Sequence, residues 1–199
     1  MSSLHNTIRV IEKINAWAIH LVKWLVPVLI LTLVYEVIMR YGMGRPTLWS
    51  YDVTYMLCSI FLAIGMAYTL KEGGHVNIDI ILEKLSIKQR AILQAVFYVI
   101  LFFPLWGLIT YFFASYVVDS WISLSVARVG TWRPPIYPFN TWIWIGSLLL
   151  FLQGIAELLK YIYMAKTGRD DYIDPSEEEK IQEEIAEKEK ILEDVTADA

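Results

Sequence analysis

Two carboxylates, an arginine and a histidine are the residues whose spacing in this chain could do chemistry. Glu36 and Arg40 stand four apart, a spacing that sets opposite charges on one helix face, and Asp52 follows across a short connection. Such a group relays protons or holds an ion when it lies deep in a membrane and faces a cavity. All three fall within a turn or two of the ends of apolar runs, so the expectation is an interfacial ion-pair cluster that fixes two helices or docks a partner. Glu157, with Lys160 three residues on, is read the same way. His75 precedes Asp79 by four residues and can share a helix face with it. Two ligands without a third rarely make a metal site, which leaves His75 a hydrogen-bonding role. Other chemistries lack their residues. The histidines are His5, His20 and His75, of which only His20 falls in an expected span, so no bis-histidine haem pair is available. Cys58 is the single cysteine and has no partner for a disulfide or a thiolate metal site. No Gly-rich phosphate loop with its Lys and Ser/Thr is present, and no Ser/His/Asp spacing points to hydrolysis. No catalysis, cofactor, metal ion or nucleic acid is expected.

The elements that must position these residues are membrane helices. Charge-free runs cover 53–70, 91–118 and 134–156, each near or above the roughly 20 residues a helix needs to cross a bilayer. Residues 17–39 are apolar apart from His20, Lys23 and Glu36, which lie near the ends of the run, where long side chains reach the headgroups. The predicted fold is an all-α membrane protein with four transmembrane helices over about 17–39, 51–70, 91–118 and 136–164. Residues 1–16 read as a short amphipathic lead-in. No small-residue cleavage site follows the first apolar run, which ends in Glu36 and Arg40, so that helix is expected to stay as an anchor. Gly42, Gly44 and Pro46 turn the chain after span one. After the Gly73-Gly74 break, Ile78, Ile81, Leu82 and Leu85 fall on one face of an interfacial amphipathic helix over about 76–90. Pro104 predicts a kink in span three. Trp132-Arg133-Pro134-Pro135, running on to Pro138, predicts a stiff, extended path into span four.

Charge orients the bundle. Thirteen of the 21 acids lie between Lys166 and Ala199 beside five bases, so this tail carries −8 and residues 1–165 carry +4. In a four-span arrangement ten bases, among them Arg9, Lys84 and Lys160, fall on one side against Arg40, Arg45, Arg128 and Arg133 on the other. The positive-inside rule then puts both termini in the cytoplasm. Most of the eight Trp stand near span ends, as interfacial anchors do. The chain divides into a transmembrane domain, 1–165, and an acidic cytoplasmic tail, 166–199. The tail carries a helix-start signal of Ser176 and Glu179 after Pro175, and a strip of Ile181, Ile185, Leu192 and Val195.

Four spans with both ends inside, Glu36-x-x-x-Arg40 closing the first, Pro46-x-x-Trp49-x-x-Asp52 opening the second, and Gly74-His75-Val76-x-x-Asp79 after it form an ordered set. Over residues 9–164 this set resembles the small membrane subunit, DctQ-type, of tripartite ATP-independent periplasmic (TRAP) transporters. Trp132-x-Pro134-Pro135-x-x-Pro138, then Gly146 and Gln153-Gly154, is similar to one branch of that family. The resemblance implies a non-enzymatic scaffold subunit in a bacterial or archaeal inner membrane. Its partners are then a large TRAP membrane subunit carrying the substrate and sodium sites, a periplasmic substrate-binding protein and membrane lipids. The cargo it implies is a small organic anion, a carboxylate. It also marks Glu36, Arg40, Trp49, Asp52, His75, Asp79, Trp132, Pro134 and Pro135 as structural or partner-docking residues. A self-sufficient small transporter or channel is the alternative, and it requires mid-membrane polar groups, for which Thr32, Ser59, Gln94, Thr110 and Gln153 are the candidates.

Overall fold

Proline decides where the long helices of this chain change course. In the computed structural model, which describes residues 2–73, 85–128 and 132–168, helix α1 spans Ser2–Val22 and α2 spans Leu25–Val37. The break between them falls at Lys23 and Trp24, four and three residues before Pro27. A proline donates no hydrogen bond to the carbonyl four residues back and its ring crowds that carbonyl. Here the Lys23 carbonyl accepts instead from the Val26 N–H at 3.2 Å. The same logic recurs at Pro104. Helix α4, Ile87–Phe97, passes through a π-helical segment, Tyr98–Phe102, that contains the carbonyl of Ile100, and continues as α5, Phe103–Ile122. The kink predicted at Pro104 is therefore a widened turn just ahead of it.

The remaining helices are α3, Ser50–Lys71, and α6, Tyr137–Thr167, with Pro138 in its first turn. A second π-helical turn, Ile38–Gly42, ends α2. Four continuous helical stretches, Leu4–Gly42, Ser50–Lys71, Ile87–Ile122 and Tyr137–Thr167, are long and apolar enough to cross a membrane. Two of them start earlier than the hydropathy of the sequence predicts. The lead-in 1–16 is no separate element from residue 2 onward, because α1 runs unbroken from Ser2 to Val22. The third helix starts at Ile87 behind a capping box, in which the Ser86 N–H donates to Gln89 Oε1 at 3.2 Å. Residues 87–90 thus belong to that helix and not to the amphipathic one expected over 76–90. Residues 76–84 of that expected helix, with Asp79, lie outside the described residues, as do His75 and the acidic tail from 169.

Helix α6 is the centre of the bundle: α1, α3, α4 and α5 all pack on it, whereas α2 packs on α3. Small residues allow the closest approaches. A Cβ on Gly146 would sit 2.7 Å from the backbone of Ala63 on α3, and one on Gly154 would enter the ring of Phe102. Leu149 and Leu150 lie between these glycines and pack with Val22, Ile64, Ala67 and Leu70. Outside this seam the bundle is apolar toward its surroundings, with Leu31, Ile100, Leu105 and Phe112 all more than half exposed. Lipid tails are as apolar as these side chains, so close packing and interhelical hydrogen bonds hold such helices together. His5 of α1 meets Tyr163 of α6 edge to face at 5.3 Å, which places both described chain ends at one end of the bundle, here the terminal end. The connections 43–49 and 123–136 form the opposite, loop end.

Candidate functional site

At the loop end, Glu36 of α2 collects the first connection around itself. Arg40 donates from Nε at 2.9 Å and from Nη2 at 2.6 Å, both to Oε1. The Thr47 backbone N–H donates to Oε2 at 3.1 Å, and the Thr47 hydroxyl donates to the same oxygen. The Ser50 side chain, at the start of α3, is a further hydrogen-bond partner of this carboxylate. Glu36 is buried while the Arg40 side chain is half exposed, so the guanidinium spans the boundary of the site. Trp49 stacks on Tyr35 at 5.7 Å and closes the connection against α2. Asp52 is also buried, in the first turn of α3, where unpaired backbone N–H groups favour negative charge. The bonds of Arg40 go to Glu36, however, and Asp52 is not drawn into that pairing.

Trp132, Pro134 and Pro135 belong to the other connection, Ser123–Ile136. There Ala127 N–H donates to the Pro134 carbonyl at 2.9 Å and Ile136 N–H to the Ser125 carbonyl at 3.0 Å, flanking a single antiparallel bridge from Val126 to Pro135. Pro134 is buried, whereas Trp132 and Pro135 are exposed. Trp121, at the end of α5, donates from Nε1 to Thr141 Oγ1 at 2.9 Å and packs on Tyr137 with ring centroids 4.5 Å apart. The connection is thereby pinned to the start of α6.

The terminal end holds a larger polar network, of which the sequence shows only a part. Asn15 of α1 donates from Nδ2 to Gln153 Oε1 at 2.6 Å, and Gln153 donates from Nε2 to Glu157 Oε1 at 2.9 Å. Lys160 pairs with Glu157 at 2.9 Å and with Glu12 of α1 at 2.6 Å. The Glu157 and Lys160 pair follows from i, i+3 spacing on one helix. The contribution of α1 does not, although Glu12 and Asn15 are three apart and Asn15 continues the buried row of Ile8 and Ile11. That polar residue in line with Ile8 and Ile11 was the available signal.

Of the candidate mid-membrane polar groups, Gln153 belongs to the terminal network, and Thr110 and Thr32 are bonded elsewhere. Thr110 of α5 and Ser147 of α6 share a hydrogen bond at 2.9 Å, the Trp144 indole donates to the Thr110 carbonyl at 3.1 Å, and Thr32 donates to the Val28 carbonyl at 2.8 Å. No group of three potential metal ligands occurs among the described residues. The geometry is that of a bundle tied together at both ends and at mid-depth.

No curated protein matches the chain. A family model does, that of "Tripartite ATP-independent periplasmic transporters, DctQ component", over residues 29–162. That stretch takes in the Glu36 cluster, both loop-end connections, the Gly146 and Gly154 seam and the α6 half of the terminal network, and it covers well over half of the sequence; the chain belongs to the DctQ component family of TRAP transporters.

Proposed function

We propose that this chain is the small scaffold subunit of a TRAP-type secondary transporter. It stands beside a large membrane subunit that binds and moves the cargo, a small organic carboxylate taken up with sodium and delivered by a periplasmic substrate-binding protein. In this reading the bundle lies in the inner membrane with its terminal end in the cytoplasm, and Trp49, Trp132, Pro134 and Pro135 shape the surface turned toward the binding protein. The observation that supports it is how the intramembrane polar groups are used. A conducting or transporting path needs polar side chains free to exchange ligands along a cavity, whereas Asn15 bonds to Gln153 and Thr110 to Ser147 across helix interfaces, and Gln153 bonds to Glu157 along its own helix. Such groups build a rigid support rather than a pathway.

Reconstitution tests the reading against a self-sufficient transporter or channel. Liposomes holding this chain alone should show no uptake of labelled carboxylates and no sodium flux. Adding the large subunit and the binding protein, with an inward sodium gradient, should produce uptake. Sodium-coupled uptake by the chain alone would refute the scaffold role.

A further inference from the structure

A pocket of about 460 Å³ opens at the loop end of the third helix, lined by Tyr116, Asp119, Ser120, Ser123, Ser125 and Arg128 among others. It shares no residue with the Glu36 cluster. Its charged groups are spare: neither Asp119 nor Arg128 forms an ion pair among the described residues. Its serine hydroxyls are not spare as donors. Ser120 gives its hydrogen to the Val117 carbonyl at 2.8 Å and Ser123 gives its own to the Asp119 carbonyl at 2.8 Å. The 2.6 Å contact between Ser123 and Ser125 then uses the hydrogen of Ser125. Each serine hydroxyl is left with lone pairs only, so beside Asp119 the serines present acceptors, and the charged donor of the pocket is Arg128. A ligand that fits carries a cation with several N–H donors at one end and an anion for a guanidinium at the other.

The depth of the pocket says which ligand. The charge-free run 91–118 ends at Asp119, so the pocket stands where hydrocarbon gives way to headgroups. The aromatic side chains of Tyr116 and Trp121 mark the same level. Below it the outward face of α5 continues through Tyr116, Phe112, Ile109 and Leu105, all exposed and spaced to follow one side of the helix. That face is a track for an acyl chain.

We infer that this pocket binds the headgroup of a zwitterionic phospholipid bearing a primary amine. The ammonium donates to Asp119 and the serine oxygens, the phosphate accepts from Arg128, and one acyl chain lies along α5. The site is independent of the transport reading, and either can fail without the other.

Native mass spectrometry of the full, delipidated chain, titrated with phosphatidylethanolamine, phosphatidylcholine and phosphatidylglycerol of identical acyl chains, tests it. Phosphatidylethanolamine should be retained about fivefold over the other two, since only its headgroup combines N–H donors with a phosphate. Asp119→Asn should reduce its retention to that of phosphatidylcholine, and Arg128→Gln should lower retention of all three. Equal retention of the three lipids by the unaltered chain overturns the proposal without recourse to any variant, as does a preference that survives Asp119→Asn. Inorganic phosphate displacing the lipid as well as phosphoethanolamine does would make the site a simple anion site and overturn it. A pocket that retains no lipid, yet in which a label on Ser125→Cys becomes shielded when the large subunit is added, belongs to a protein interface instead.

Discussion

The two ends of the bundle use charge in opposite ways. At the loop end, Glu36 takes Arg40, Thr47 and Ser50 as its partners, all within fourteen positions, so the cluster closes one turn and one connection onto the start of α3. At the terminal end, Asn15 and Gln153 are 138 residues apart, and Lys160 holds a carboxylate from each of two helices. The first arrangement shapes a local surface. The second decides whether the first helix is attached to the last, and it is also the more buried, with Gln153 fully enclosed. Removing one partner from a buried network leaves a desolvated charge or dipole behind, whereas a half-exposed pair recovers water.

The sharpest way to break this contrast is Lys160→Met, which leaves Glu12 and Glu157 facing each other without their shared cation. We expect a loss of about 3–5 kcal/mol, read as a large fall in thermal midpoint and as release of α1 to proteolysis. Adding Glu12→Gln and Glu157→Gln should restore part of the loss; a midpoint unchanged by Lys160→Met alone would show the network to be idle. A smaller effect is expected from Gly146→Val, where the new side chain meets the backbone of Ala63 and not a movable side-chain tip. Overpacking of this kind costs about 1–3 kcal/mol, and a cysteine crosslink between α3 and α6 should form more slowly. Glu36→Gln comes next, with a smaller effect because its partner Arg40 is half solvated. Its signature is local: faster protease cleavage within 43–49 with little change in the global midpoint. A global shift as large as that of Lys160→Met would erase the distinction between the two ends. Truncation after Gly168 should have the least effect, leaving the yield of complex copurified with the large subunit unchanged; a several-fold loss would assign the apolar strip of the tail to binding.

The four long helices were legible because a bilayer imposes a minimum apolar length that soluble folds do not, and charge-free runs such as 91–118 satisfy it. Their extension toward the termini was not, because Ser2–Val22 mixes Arg9, Glu12 and Lys13 with apolar residues and hydropathy averages that mixture away. The pairing of Glu36 with Arg40 was readable from helix geometry. The capture of Thr47 was not, since it depends on the fold of the connection after Gly42. Asn15 stayed hidden for another reason: its partner is on the last helix, and no local period reports a contact across 138 residues. Pro104 announced the irregularity of the third span, whereas the break before Pro27 was not expected although the same rule accounts for it.

Because α6 is both the centre of the bundle and the last of the described helices, the order of synthesis matters. Among the described residues, the main contacts that α4 and α5 make outside their own helix are with α6, so the third span has little else of its own chain to lean on. It must wait in lipid until residues 137–167 leave the ribosome. Assembly of this subunit is therefore set late in translation, and a stall before Tyr137 leaves α1, α2 and α3 able to associate while the third span drifts as an orphan, open to degradation or to capture by another membrane protein.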